Sequence, residues 1–161
     1  MKRKQTEAFY PLSLSVRSLF HKLGNAVTTL HEGSGVSGGM RAVLESLITG
    51  GPQTVPQLAR ARPVSRQHIQ TLVNQLLAAG DIEYLDNPAH RRSKLVEITK
   101  KGQNLFLSLR EREIEALSRL SMDVTAQELE DAGQVLSVLI ERFQSTEWQI
   151  IVNDLSPKTK E

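Results

Sequence analysis

The sequence predicts a mainly α-helical chain with one small β-hairpin. Three observations predict it. Apolar residues recur at three- and four-residue steps over most of the chain, the period of a helix face. Ser, Thr, Gly and Pro stand where such helices would start and stop. One stretch breaks the pattern: "DIEYL" and "KLVEI" mix apolar and charged residues at strand spacing on either side of "DNPAHRRS".

The elements follow in order. From Leu12 to Leu30, Val16, Leu19, Phe20, Leu23 and Val27 form a helical stripe, which "EGSGVSGG" ends. Ser37 is placed to cap the next helix, with Met40, Val43, Leu44, Leu47 and Ile48 apolar, and "GGP" at 50–52 stops it. Thr54 and Gln57 have capping-box spacing, in which Thr caps the helix and Gln reaches back to the cap. Pro63 keeps that helix short. Ser65 opens another, running to Gly80, with Ile69, Leu72, Val73, Leu76 and Leu77 on one face. Asn87-Pro88 is a turn signal, because Pro pushes the residue before it out of the helical region. The segment after Gly80 therefore reads as a hairpin with a basic tip.

Two longer helices follow Thr99. The first, from Lys100 to Leu120, carries Phe106, Leu109, Ile114, Leu117 and Leu120. The second starts at a capping box, Thr125 with Glu128. Its stripe, Leu129, Ala132, Leu136, Leu139 and Phe143, steps 3, 4, 3, 4, the seam of a helix packed along a partner. "WQIIV" at 148–152 adds apolar material before a polar tail, 153–161. One small domain is too little to bury all these faces, so the chain is expected to be a homodimer.

Composition narrows the function. The chain has 161 residues, 39% hydrophobic and 24% charged, with a net charge of +2. The total says little, but its distribution says more. Residues 53–101 hold 8 Lys and Arg against 4 Asp and Glu, whereas 102–150 hold 4 against 9. Cysteine is absent, which removes disulfides and thiolate metal sites. His21, His31, His68 and His90 form no close pair on one helix face, so no metal or cofactor is expected. The acidic residues of 111–131 read as a solvated helix surface, and no nucleophile–base–acid set is visible, so an enzyme is not expected. No run approaches the roughly 20 apolar residues of a membrane span. A soluble, cytoplasmic protein is expected.

A short helix, a turn and a second capped helix make a helix-turn-helix, and the hairpin beside it makes it winged. The polar face of the second helix offers Arg66, Gln67, Gln70, Thr71 and Asn74. Arg pairs with guanine O6 and N7, and Gln or Asn with adenine N6 and N7. Any one of these residues alone is ordinary solvated surface. Together with the capped helix pair and the basic tip, they point to double-stranded DNA.

The stretch "GPQTVPQLARARPVSRQHIQTLVNQLLAAGDIEYLDNPAHRRSKLVEITKKG" resembles the winged helix-turn-helix core of the multiple-antibiotic-resistance regulator (MarR) family. The parts that carry the resemblance are GP-x-T-V-x-x-LA, VSRQ, NP-x-x-RRSKLV and IT-x-x-G. It implies a domain over 9–145, with dimerisation helices in 12–31 and 102–152 around a DNA-binding core in 37–101. Leu129, Leu136, Leu139 and Phe143 would lie in the dimer interface. Two recognition helices, each bearing Ser65, Arg66, Gln67, Gln70, Thr71 and Asn74, would enter successive major grooves of a pseudo-palindromic operator. Thr54 would contact a phosphate. The wings would bring His90, Arg91, Arg92 and Lys94 to flanking minor grooves, whose negative potential attracts arginine. The resemblance further implies a repressor released by a small-molecule effector, with Phe20 and Met40 as candidate pocket residues. The alternatives are a ligand-independent activator or silencing antagonist, or a winged-helix protein-interaction module. Two positions depart from the family pattern: His90 stands where many members have an acid, and Asp81 where an apolar residue is usual.

Overall fold

The computed structural model describes residues 2–60, 64–90 and 92–156. Four helices come first: α1 (Lys2–Leu30), α2 (Gly38–Gly50), α3 (Val55–Arg60) and α4 (Arg66–Ala79). The strands β1 (Ile82–Leu85) and β2 (Leu95–Ile98) follow, then α5 (Lys100–Ser118), α6 (Ala126–Gln144) and α7 (Thr146–Leu155). This is the mainly helical chain with one hairpin that the sequence predicts.

The expected caps form: Ser37 Oγ accepts from Met40 N at 3.2 Å and Ser65 Oγ from His68 N at 3.1 Å. Thr99, not read as a cap, also accepts through Oγ1 from Gly102 N at 3.1 Å. Both boxes close: Gln57 Oε1 accepts from Thr54 N at 2.8 Å, and Glu128 Oε2 from Thr125 N at 2.7 Å. Each cap satisfies a backbone donor that the helix leaves unpaired, worth about 1 kcal/mol. Pro63 lies outside the described residues.

Two boundaries differ from expectation. The first helix starts at Lys2, ten residues before Leu12, and carries Pro11 within it. Its opening turns are polar and offer no apolar period to read. The exposed pair Arg3–Glu7, 3.0 Å apart at i,i+4, supports them instead. At the other end, α7 runs to Leu155, into the stretch expected to be a polar tail.

The chain divides into two compact units, 1–119 and 120–161. In the first, α2 is central and packs on α1, α4, α5 and β2. The core joins Val43, Leu44 and Leu47 of α2 to Leu58 of α3, Ile69, Leu72, Val73 and Leu76 of α4, and Phe106 of α5. Ile82 and Val96 close it from the strands. Burying a side chain such as Leu44 stabilises by roughly 1.5–3 kcal/mol. The strands are antiparallel, with Ile82 opposite Ile98 and Leu85 opposite Leu95. Gln53 bridges the other edge of β2, since Val96 N donates to its carbonyl at 2.8 Å and its own N–H donates to Val96 O at 3.1 Å.

The corner between α4 and β1 sets where the hairpin sits. Gly80 turns the chain at φ 74°, a left-handed conformation open to glycine. Asp81 is buried, and its carbonyl accepts from Thr99 N at 3.0 Å. A Cβ on Gly102 would stand 2.0 Å from that carbonyl, so the position demands glycine. Lys101 reaches back to the Ala79 carbonyl and lies 3.5 Å from Asp81 Oδ1. The acid that departs from the family pattern thus has a partner, and the lysine sits where a helix C-terminus favours a cation.

In the second unit Ser145 ends α6 and caps α7, accepting from Trp148 N at 3.2 Å. The edge of one ring meets the other between Phe143 and Trp148, with centroids 4.8 Å apart. Neither helix has a buried residue.

Candidate nucleic-acid interface

Helix α4 divides its residues by face. Ile69, Leu72, Val73 and Leu76 enter the core, while Arg66, Gln67, Thr71 and Asn74 are exposed and Gln70 is half-buried. Beside the exposed face lies an open groove of about 610 Å³, walled by the start of α3, the start of α4 and the hairpin. Val55, Pro56, Arg66, Gln67, Gln70, Tyr84, Arg92, Ser93 and Lys94 line it. Three of the five polar residues predicted on α4 thus share one cleft with two of the basic wing residues. Among these described residues there are three cations and no carboxylate, so the groove suits a polyanion.

The remaining predicted residues have other surroundings. Ser65 is the cap, and Thr71 Oγ1 donates to its own helix at Gln67 O, 3.1 Å away. Asn74 is tied to the groove through Gln70, whose Nε2 donates to Asn74 Oδ1 at 2.9 Å. The Thr54 residue is buried, and its hydroxyl donates to Gln57 Oε1 at 2.8 Å. At the hairpin tip Asn87 Oδ1 accepts from Ala89 N at 3.1 Å, an Asx turn that shapes the loop. His90 and Arg92 are exposed there, and Arg91 lies outside the described residues.

Tyr84 was not expected in this groove, because its position in β1 reads as strand apolar material. Its hydroxyl accepts from Gln70 Nε2 at 3.1 Å, and Lys94 Nζ lies 5.9 Å from its ring centroid. A tyrosine carries an apolar ring with a polar tip, so its spacing in a strand does not tell a core residue from one that lines a groove.

One expectation is overturned away from the groove. Glu113, assigned to a solvated surface, takes Arg41 in a two-pronged pair with both N–O distances 2.5 Å. Its Oε1 also lies 2.8 Å from Nε2 of the buried His31. Arg41 continues to Glu45 at 3.1 Å and lies over Phe106 at 5.5 Å. Burial pushes the Glu113 carboxyl up, but the bonds from Arg41 and His31 and their charges outweigh it, holding it below the usual value. Arg41 is raised: burial lowers it, and Glu113 and Glu45 together outweigh that. The spacing Phe106, Leu109, Glu113 continues the buried face of α5, which is the signal that placed this acid inward.

Phe20 is exposed on α1, whereas Met40 belongs to the closed core. Neither lines the groove above nor a second one of about 340 Å³ between the end of α2, β2 and α5.

The profile of the MarR family matches residues 34–93. A crystal structure of a MarR family transcription regulator is 30% identical, covers 87% of this chain and 93% of its own, and superposes with a TM-score of 0.69. The chain belongs to the MarR family. The matched stretch takes in α2 to the hairpin tip, the part that carries the groove. A mutant of MarR from E. coli, solved with operator DNA, shares the fold at 20% identity and a TM-score of 0.66, over 82% of this chain and 95% of its own. An uncharacterized HTH-type transcriptional regulator of Bacillus subtilis, YdgG, is 28% identical over 104 residues, 63% of this chain and 68% of its own. An uncharacterized protein of Mycobacterium tuberculosis is 37% identical over 78 residues, 48% of this chain. The chain spans about half the length of that mycobacterial relative, 54%.

Proposed function

We propose that this MarR family protein is a homodimeric, sequence-specific DNA-binding transcriptional regulator, a repressor released by a small-molecule effector. The observation that carries the DNA reading is the groove in which Arg66, Gln67 and Gln70 stand beside Arg92 and Lys94. Side chains at the start of a capped helix can reach base edges in a major groove, while the adjoining wing cations meet phosphate or minor groove. The operator-bound structure of MarR from E. coli, which has the same fold, supports this reading. Family analogy alone supports release by an effector.

The dimer rests on exposed apolar surface. Leu19, Phe20 and Leu23 of α1, Ile114 and Leu117 of α5, and Val135, Val138 and Ile140 of α6 are all exposed. A monomer rarely shows so much apolar surface to water. The interface is proposed to draw on residues near 12–30 and 105–152, with Leu129, Leu136, Leu139 and Phe143 in its seam.

Selection of duplexes from a random library by the purified protein tests the reading. The expected product is an inverted pair of half-sites about one helical turn apart, because a two-fold dimer imposes palindromy. Retained DNA without a shared sequence would overturn sequence-specific reading.

A further inference from the structure

The Gln70 amide is held from two sides within the protein itself. Its Nε2 donates to Asn74 Oδ1 at 2.9 Å and to Tyr84 Oη at 3.1 Å. A primary amide nitrogen carries two hydrogens, so these bonds use both. Gln70 then presents its carbonyl to the groove, which is an acceptor only. The strand side reinforces this arrangement, since Lys94 lies over the Tyr84 ring. Gln70 is also half-buried, unlike the exposed Arg66 and Gln67. Turning its amide would require the Tyr84 hydroxyl to donate and the Asn74 amide to turn as well, so the three groups hold their orientation together.

Resting on the DNA-reading function proposed above, we infer that Tyr84 is a positioning residue that fixes the polarity of Gln70, which then reads an exocyclic amino group through a single acceptor. An unconstrained Gln grips adenine at two points, donating to N7 and accepting from N6. With its NH₂ engaged by Asn74 and Tyr84, Gln70 loses the donation to N7. The remaining acceptor pairs with adenine N6 or cytosine N4. It meets another acceptor at guanine O6 and at thymine O4. The base class specified at this position is therefore amino against keto, rather than adenine alone.

The experiment selects binding sites from a random duplex library with the full chain and with Gln70→Ala, Tyr84→Phe and Asn74→Ala. The position at which Gln70→Ala flattens the base distribution is the one Gln70 reads. The wild-type protein is expected to keep adenine and cytosine there, about tenfold over guanine and thymine, the order of one good base contact. Tyr84→Phe keeps the ring under Lys94 but removes Oη and frees an amide hydrogen. Adenine should then gain about tenfold over cytosine as the two-point grip becomes available. Asn74→Ala removes the other acceptor and should move the distribution the same way. Thermal melting should be nearly unchanged in Tyr84→Phe, because the lost hydroxyl lies in an open groove. A wild-type preference for guanine or thymine, or for adenine alone, overturns the inference and leaves DNA reading intact. So does a Tyr84→Phe distribution identical to wild type, or a Gln70→Ala variant that flattens no position. A wild-type protein that selects no sequence overturns the DNA reading as well.

Discussion

Glu113 shows how one side chain ties three helices together. It accepts from Arg41 of α2 through both oxygens and meets His31, just past the end of α1. Its carboxyl is held below the usual 4.5 although burial acts the other way. A depressed acid contributes stability that is fully present above its unfolded value and lost as pH falls through the lower folded value. Glu113→Gln should therefore destabilise the protein at pH 7 by roughly 1.5–3 kcal/mol, the range for a hydrogen bond to a charged group. The deficit should shrink below about pH 4.5, where the wild-type carboxyl also becomes neutral. Urea unfolding at fixed protein concentration across pH 3–7 measures both. A deficit that stays constant into acid would show that the Glu113 charge contributes nothing. The spacing from Phe106 and Leu109 hints that Glu113 faces inward, but its partner Arg41 lies 72 residues away, and amid Glu111 and Glu115 the acid looks like solvated surface.

At the scale of elements, the hairpin and α4 act as a pair. The turn at Asn87-Pro88 and the cap at Ser65 were both legible, because each is written in adjacent residues whose side chains bond the local backbone. The groove between them was not, since it depends on how far Gly80 and Gly102 let the hairpin fold back on α4. If the wing meets the DNA backbone or minor groove, its effect is largely electrostatic. Arg92→Ala should weaken binding to specific and random duplexes by similar factors and reduce the slope of log affinity against log salt. The reduction should be about 0.9 for each phosphate that a wing no longer neutralises. The preferred core bases should not change, because the proposed reading face of α4 is untouched. A salt series on wild type and variant decides this. An unaltered slope would reduce Arg92 to ordinary surface charge.

At the scale of the whole molecule, assembly dominates. The apolar stripes of α1, α6 and the second half of α5 were visible as periods, and each lies largely exposed in a single chain. Leu129, in the proposed seam and 51% exposed, makes the sharpest probe. A charge there disturbs little within its own chain but would be desolvated in an interface. Leu129→Glu should leave the protein unfolded or aggregated and lower the apparent melting temperature, since obligate dimers often have no stable folded monomer. Sedimentation of both proteins at micromolar concentration checks it. A folded wild-type monomer, or a variant that sediments as the wild type does, would remove the proposed interface.

The helices between Ser37 and Gln144, the caps at Ser37 and Ser65, the two capping boxes, the hairpin and the basic tip are legible in the residues alone. Each of these follows from residues within a few positions of one another, where backbone dihedral preference, capping and apolar period act directly. The sequence by itself also carried the family resemblance, because motifs such as VSRQ and NP-x-x-RRSKLV are contiguous. Tertiary structure decided what those elements face. The Tyr84 hydroxyl meets Gln70 across 14 residues, Asp81 is sealed by Thr99 and Gly102, and Arg41 finds Glu113 across 72. These pairings depend on the angle at which packed elements cross. Side-chain type and period leave that angle free, and the buried face shared by α2, α4, α5 and the strands sets it.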